Sequence, residues 1–157
     1  GVILGTYFFT NKRKINTFIM LDVIACIAPI GLFFGRIANF INSELYGIPS
    51  SVSWSVIFPL IDNVPRHPSQ LYEAFLEGIL LFIILLTVYL NKKNKIGMCS
   101  SLFLILYSLF RIIVEQFREP DAHLGYLFNL FSTGTFLSFL GLIVGIIIFS
   151  FKKNETN

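Results

Sequence analysis

Charge is what this chain has least of. Asp, Glu, Lys and Arg make up 13% of its 157 residues, against 55% hydrophobic and 16% aromatic, a balance well outside the usual apolar share of soluble domains. The shortage excludes a water-soluble globular protein and points to an all-α, polytopic transmembrane helical bundle. Cysteine is scarce too. Cys26, inside an apolar run, and Cys99, beside a basic loop, supply neither a disulfide framework nor a CxxC metal pair, and both read as reduced packing residues. A Ser-His-Asp arrangement, a metal-ligand cluster and a Gly-rich phosphate loop are all missing, so the chain calls for no metal and no cofactor. It has no internal repeat of the solenoid or inverted-repeat kind, which weighs against a transporter. The formal net charge of +3 raises the question of nucleic acid, but the basic residues fall in short clusters beside apolar runs, as topology signals do. No nucleic-acid partner is expected. With no start methionine, charged n-region or cleavage pattern ahead of its first apolar stretch, the chain reads as the C-terminal part of something longer, a single transmembrane domain over residues 1–157.

What is present is a series of apolar runs separated by basic or polar punctuation. Residues 1–10 reach only about 15 Å as helix, half of a ~30 Å hydrocarbon core, and read as the end of one span. Residues 11–14 are expected to form a compact basic loop. The next spans are expected at 15–34, interrupted by Pro29, at 71–90, at 96–117 and at 134–151, making about four complete crossings. The segment 47–68 is too rich in Pro, Ser, Asn and Gly to cross and is expected to be irregular, with a short hairpin around 52–58. If each run crosses once, the basic clusters at 12–14, 92–95 and 152–153 share the cytoplasmic side. Gly31-x-x-x-Gly35 and Gly141-x-x-x-Gly145 read as close-packing faces. Asp22, within a span, is expected to face a polar interior or cap a first turn rather than to act in chemistry.

The polar residues gather on the other side. In the run 35–47, Arg36, Asn39, Asn42, Glu44 and Tyr46 crowd together directly after an apolar segment, where ionisable groups persist mainly if paired or bound to a polar ligand. A snorkelling Arg, turn-capping Asn residues and an interfacial Tyr would also produce such a cluster. In the run ending at Phe117, Tyr107, Arg111 and Glu115 recur every four residues and so share a helix face. An Arg in the bilayer costs roughly 2.5–3.5 kcal/mol unless compensated, and Glu115 is the expected counter-ion. That pair either ties helices together or leaves a guanidinium fork for a phosphodiester. His67, before Pro68, is expected to fix the loop entering the next helix, with a role as base or head-group donor as the alternative. Ser69 is read as an N-cap with Glu73 as an early-turn acid, and Gln70 and Tyr72 as supporting residues. Arg118, Glu119 and Asp121 are expected to form an interfacial, salt-bridged lid, and His123 is assigned no role.

Three ordered blocks then carry a resemblance. Gly35-Arg36-x-x-Asn39-Phe40-x-Asn42-x-Glu44-x-x-Gly47, the run from Arg66-His67-Pro68-Ser69-Gln70 to Glu73, and the run from Arg111 to Asp121 resemble, in order, the signature blocks of the prolipoprotein diacylglyceryl transferases, integral enzymes of the bacterial cytoplasmic (inner) membrane. The resemblance implies transfer of the sn-1,2-diacylglyceryl group of phosphatidylglycerol to the lipobox cysteine thiol of a prolipoprotein, so the nucleophile belongs to the substrate. It implies that Arg36, Asn39, Asn42, Glu44, Gly47 and Arg111 bind phosphatidylglycerol, that Arg36, Tyr107, Arg111 and Glu115 serve catalysis, and that His67, Gln70 and Tyr72 support them. The partners implied are phosphatidylglycerol, the prolipoprotein lipobox segment and membrane lipid. Ala38 stands where the family usually has Gly, 132–135 departs from a usual Met-Gly-Gln pattern, and the family's His-Gly-Gly block is absent from this chain. An inactive truncated membrane fragment and a small anion carrier or channel remain as alternatives.

Overall fold

The computed structural model describes residues 1–91, 95–119, 126–127 and 131–154; Lys92, Lys93, Pro120, Asp121 and His123 lie outside the described residues. Among the described residues the helices are α1 (Val2–Arg13), α2 (Thr17–Ile41), α3 (Ser69–Glu73), α4 (Leu81–Leu90), α5 (Met98–Glu115) and α6 (Thr133–Asn154). A π-helical stretch, Ala74–Leu80, joins α3 to α4 in one continuous rod. Two small antiparallel pairs complete it: β1 (Val56–Ile57) with β2 (Pro65–Arg66), and β3 (Tyr126–Leu127) with β4 (Phe131–Ser132). Four helical stretches, Thr17–Ile41, Ser69–Leu90, Met98–Glu115 and Gly134–Phe151, are long and apolar enough to cross a membrane. The expected all-α bundle is what is found.

Several boundaries differ from expectation for identifiable reasons. The basic stretch 11–14 is not a loop: α1 runs to Arg13 and ends on Lys14 in the left-handed region, φ 57°, where cations favour the negative helix end. α2 passes through Pro29 and continues to Ile41, so the first half of the Arg36 block is helix. The run 52–58 contributes one strand, whose partner is Pro65–Arg66. Asp22 does cap a first turn, but that of α5: its carboxylate accepts from the Gly97 N–H at 2.6 Å and the Ser100 N–H at 2.8 Å. Two of the orphan donors at that helix start are thus satisfied by a buried anion on a neighbouring helix.

The core lies between α2, α4 and α5, where Cys26, Leu81, Leu85 and Cys99 are buried together, and both cysteines are free thiols. Gly141 and Gly145 allow α6 onto α5; a Cβ at Gly141 would stand 2.8 Å from Ser108 Oγ, and one at Gly145 2.9 Å from Ile105 Cγ1. The Gly31/Gly35 expectation fails among the described residues, because a Cβ at either meets nothing within 4 Å. The close approach on α2 is made instead by Gly78, whose Cβ would lie 2.7 Å from Phe33 Cβ. Phe33 therefore sits directly on the π-helical stretch, one turn before Arg36. Large apolar side chains such as Ile27, Ile83, Ile113 and Ile143 are exposed on the outer faces, as lipid-facing surfaces require.

Candidate active site

Three helix ends meet where the three sequence blocks lie. Residue 47 follows α2, residue 67 precedes α3, residue 117 follows α5, and their backbones are stapled together. The Gly47 N–H donates to His67 O at 3.1 Å, the Ile48 N–H to Phe117 O at 3.0 Å and the His67 N–H to Ile48 O at 3.0 Å. Only glycine fits there, because a Cβ at Gly47 would stand 2.3 Å from His67 O and 2.5 Å from Phe117 O. Ahead of it, Ser43 (φ 59°) and Leu45 (φ 53°) hold left-handed backbone without being glycine, strain of about 1–3 kcal/mol each that the surroundings must impose. They do so through carbonyls: Gln70 Nε2 donates to Glu44 O at 2.7 Å, Ser69 Oγ to Leu45 O at 3.1 Å and the Glu119 N–H to Tyr46 O at 3.1 Å.

Below this junction sits a buried charge cluster. Glu73 and Glu77 are fully buried, and each faces two arginines from different helices. Arg36 Nε lies 3.1 Å from Glu73 Oε2, and its Nη2 lies 3.4 Å from Glu77 Oε2. Arg111 Nη1 donates to Glu73 Oε1 and lies 3.9 Å from Glu77 Oε1, while its Nη2 pairs with Glu115 Oε2 at 2.9 Å. The arginine side chains keep only 14% and 9% of their surface. Tyr107, stacked on Phe103, lies within the field of Glu77, Arg111, Arg36 and Glu73. Desolvated guanidinium–carboxylate pairs of this kind fix geometry more than they stabilise the fold. Between the rod of α3 and its π-helical stretch and α5 runs an open apolar groove lined by Leu71, Phe75, Leu76, Ile113 and Val114.

The structure thus brings Arg36, Tyr107, Arg111 and Glu115 together as expected. Asn42 and Glu44 are exposed and Asn39 half-buried; their segment is held to the site by backbone. His67 Nδ1 and Tyr72 OH lie 3.1 Å apart, and Trp54 Nε1 donates to the same hydroxyl at 2.7 Å, so His67 and Tyr72 brace the turn. Ser69 is no N-cap: Pro68 holds that position, and the serine hydroxyl is used on Leu45 O. The expected lid also comes out differently. Arg118 is buried, with Nη1 4.0 Å from Glu73 Oε1, whereas Glu119 pairs with Arg66 at 3.1 Å. Arg66 also binds Asp62 at 2.7 Å and Gly47 O at 3.1 Å, and lies over the Tyr46 ring.

Sequence reasoning misses Glu73 as a bridge and Glu77 altogether. The signal was there: two carboxylates four residues apart in an apolar run are intramembrane acids, which mark sites by default. Reading Glu73 as a helix-start acid hid it.

The profile of the family described as prolipoprotein diacylglyceryl transferase matches residues 1–151. The phosphatidylglycerol–prolipoprotein diacylglyceryl transferase of Rickettsia akari (strain Hartford) is 52% identical over 149 residues, covering 92% of this chain and 57% of the relative. That of Rickettsia bellii (strain OSU 85-389) is 52% identical over 148 residues, covering 93% and 56%, and that of Rickettsia felis 51% over 147, covering 92% and 57%. This chain therefore spans a little over half the length of the curated relatives it matches. Four apolar helices and a family of membrane enzymes make it a multi-pass membrane protein. By its profile match and its half-identical relatives, the chain belongs to the prolipoprotein diacylglyceryl transferase family.

Proposed function

We propose that this chain provides the phosphate-binding part of a phosphatidylglycerol–prolipoprotein diacylglyceryl transferase, with Arg36 and Arg111 as the clamp. The observation that carries this reading is that both arginines, from two helices, are buried against one shared carboxylate, Glu73. In the transfer, the lipobox thiol gives up its proton, a sulfur–carbon bond forms at the glyceryl carbon, and the carbon–oxygen bond to phosphate breaks. The electron pair leaves on the phosphate oxygen, so the group goes from a monoanionic diester to a dianionic glycerol phosphate. Preorganised donors in a water-poor site stabilise that growing charge. Guanidinium forks suit it better than an ammonium because they meet two phosphate oxygens at once.

The other residues follow from their positions. Tyr107 and Glu115 hold Arg111 on its helix face. Asn39, Asn42, Glu44 and Gly47 present the strained turn to the head group. The apolar groove beside Ile113 and Val114 offers a place for an acyl chain of the lipid, and the lipobox segment approaches from the motif side. In the cytoplasmic membrane of a bacterium, the basic ends at 12–14 and 152–153 would face inward and the motif loops outward.

The test is Arg111→Lys in the full-length protein, which keeps the charge and removes the fork. Transfer to a lipobox peptide is expected to fall about 10²–10³-fold, the cost of one preorganised donor. Near-normal transfer with normal expression would refute the clamp. Labelling of a single cysteine at Lys12 from outside intact cells would reverse the orientation.

A further inference from the structure

Among the described residues the clamp is electrically closed. Three guanidiniums, Arg36, Arg111 and Arg118, meet three carboxylates, Glu73, Glu77 and Glu115, and all six side chains keep 14% or less of their surface. A phosphodiester entering between Arg36 and Arg111 would leave one uncompensated negative charge in a desolvated site, which is strongly unfavourable. Some group must answer for that charge.

The three carboxylates are not held alike. Glu73 makes a close pair with both arginines, and Glu115 pairs with Arg111 at 2.9 Å. Glu77 is held loosely, at 3.4 Å from Arg36 Nη2 and 3.9 Å from Arg111 Nη1. Its Oε1 is buried and, like Glu73 Oε2 and Glu115 Oε2, has no hydrogen-bond partner among the described residues, but it stands 3.9 Å from Arg111 Nη1 where those two lie 3.1 and 2.9 Å from an arginine nitrogen. The groups facing Glu77 are Arg36 from α2, Tyr107 and Arg111 from α5, and Glu73 from its own rod. Glu73 and Glu77, four residues apart on one rod, share a face as i and i+4 residues do, and the π-turn at 74–80 runs between them. Such insertions are frequent at functional sites.

We propose that Glu77 takes up a proton when the anionic phosphate ester enters the Arg36–Arg111 clamp, so that lipid binding and proton uptake are coupled in this protein. The idea rests on the phosphate-clamp reading above and adds to it a residue and a direction. Protonation frees Arg36 Nη2 and the nearer edge of Arg111 from Glu77, turning both toward the phosphate, and returns the site to neutrality. Glu77 is in this sense a positioning residue for the two arginines. As pH rises and Glu77 ionises in the free protein, the lipid must bring in a proton to bind, so affinity falls by up to about tenfold per pH unit.

The experiment is calorimetric titration of the full-length protein in detergent with dioctanoyl phosphatidylglycerol between pH 6 and 9, in buffers of different ionisation enthalpy, with dioctanoylglycerol as the uncharged control. Expected is uptake approaching one proton per phosphatidylglycerol, none for the uncharged lipid, and loss of both uptake and pH dependence in Glu77→Gln, with Glu77→Asp keeping them. Binding of phosphatidylglycerol by the wild type with no proton uptake anywhere in that range overturns the coupling and leaves the clamp standing, even if Glu77→Gln fails to fold. Unchanged uptake in Glu77→Gln assigns the proton elsewhere and overturns it too. Binding that is indifferent to Arg111→Lys overturns the clamp itself, and the coupling with it.

Discussion

Gly47→Ala adds one methyl group at the point where three helix ends are stapled. Its Cβ would lie 2.3 Å from His67 O, 2.5 Å from Phe117 O and 2.7 Å from His67 Cβ, so the strands must part by about 1 Å before the contacts become ordinary. Two of the three obstacles are backbone carbonyls that already accept hydrogen bonds from Gly47 and Ile48, and neither can swing aside as a side chain would. Overpacking at about 1–3 kcal/mol and two weakened backbone bonds at about 0.5–1.5 kcal/mol each give a loss of roughly 2–6 kcal/mol. The functional loss should exceed the loss of stability. Residue 47 follows the helix carrying Arg36, residue 67 precedes the one carrying Glu73 and Glu77, and residue 117 follows the one carrying Arg111, so parting them spreads the clamp. Displacement of about 1 Å at a reacting centre costs on the order of 10²-fold in rate. The assay is transfer from phosphatidylglycerol to a lipobox peptide by the full-length protein, normalised to folded protein, beside a thermal melt followed by size exclusion. Wild-type melting and wild-type turnover together would refute the junction as the part that aligns the arginines.

Glu73→Gln leaves Arg36 and Arg111 side by side without their shared carboxylate and should destabilise the protein by about 3–5 kcal/mol in chemical denaturation, whereas Glu119→Gln, at a partly exposed pair with Arg66, should cost about 0–1 kcal/mol. Asp22→Ala should remove about 1–3 kcal/mol by stranding the Gly97 and Ser100 N–H groups, while turnover per folded molecule stays near wild type because α5 is anchored at its far end from Arg111. The Arg66 guanidinium, and after it the Val64 N–H, hold the Asp62 carboxyl below its usual value. Asp62 thus stabilises the 58–66 loop fully above the ordinary carboxylate pKa of about 3.9 and loses that contribution as pH falls through the lower folded value. Limited proteolysis of the loop by an acid protease should accelerate across that acidic window, and Asp62→Asn should abolish the change.

Much of this molecule is legible in its sequence because lipid leaves few choices. Backbone groups in hydrocarbon must be bonded within the segment, so a long apolar run becomes a helix whatever its neighbours do. That is why the four crossings, and the shared face of Tyr107, Arg111 and Glu115 on α5, could be placed from local pattern alone, and why three motif blocks were enough to name a family. Boundaries near charge were harder: α1 absorbs its basic stretch and α2 runs on to Ile41, since a cation at a helix end is favourable and does not stop the helix.

What only the tertiary structure decided is which polar groups meet. Asp22 and Gly97 are far apart in sequence, yet the acid caps the other helix, because helix ends carry unsatisfied N–H groups that the nearest buried anion will fill. Gly31 and Gly35 offered a packing face that no described residue uses, while Gly78, without such a pattern, lies against Phe33. Glu73 and Glu77 carry no mark in a linear reading beyond being acids in an apolar run. Their meaning came from two arginines delivered by other helices to the face they share. Pairing energy in a low-dielectric interior depends on distances of a few ångströms between segments, and those distances belong to the fold.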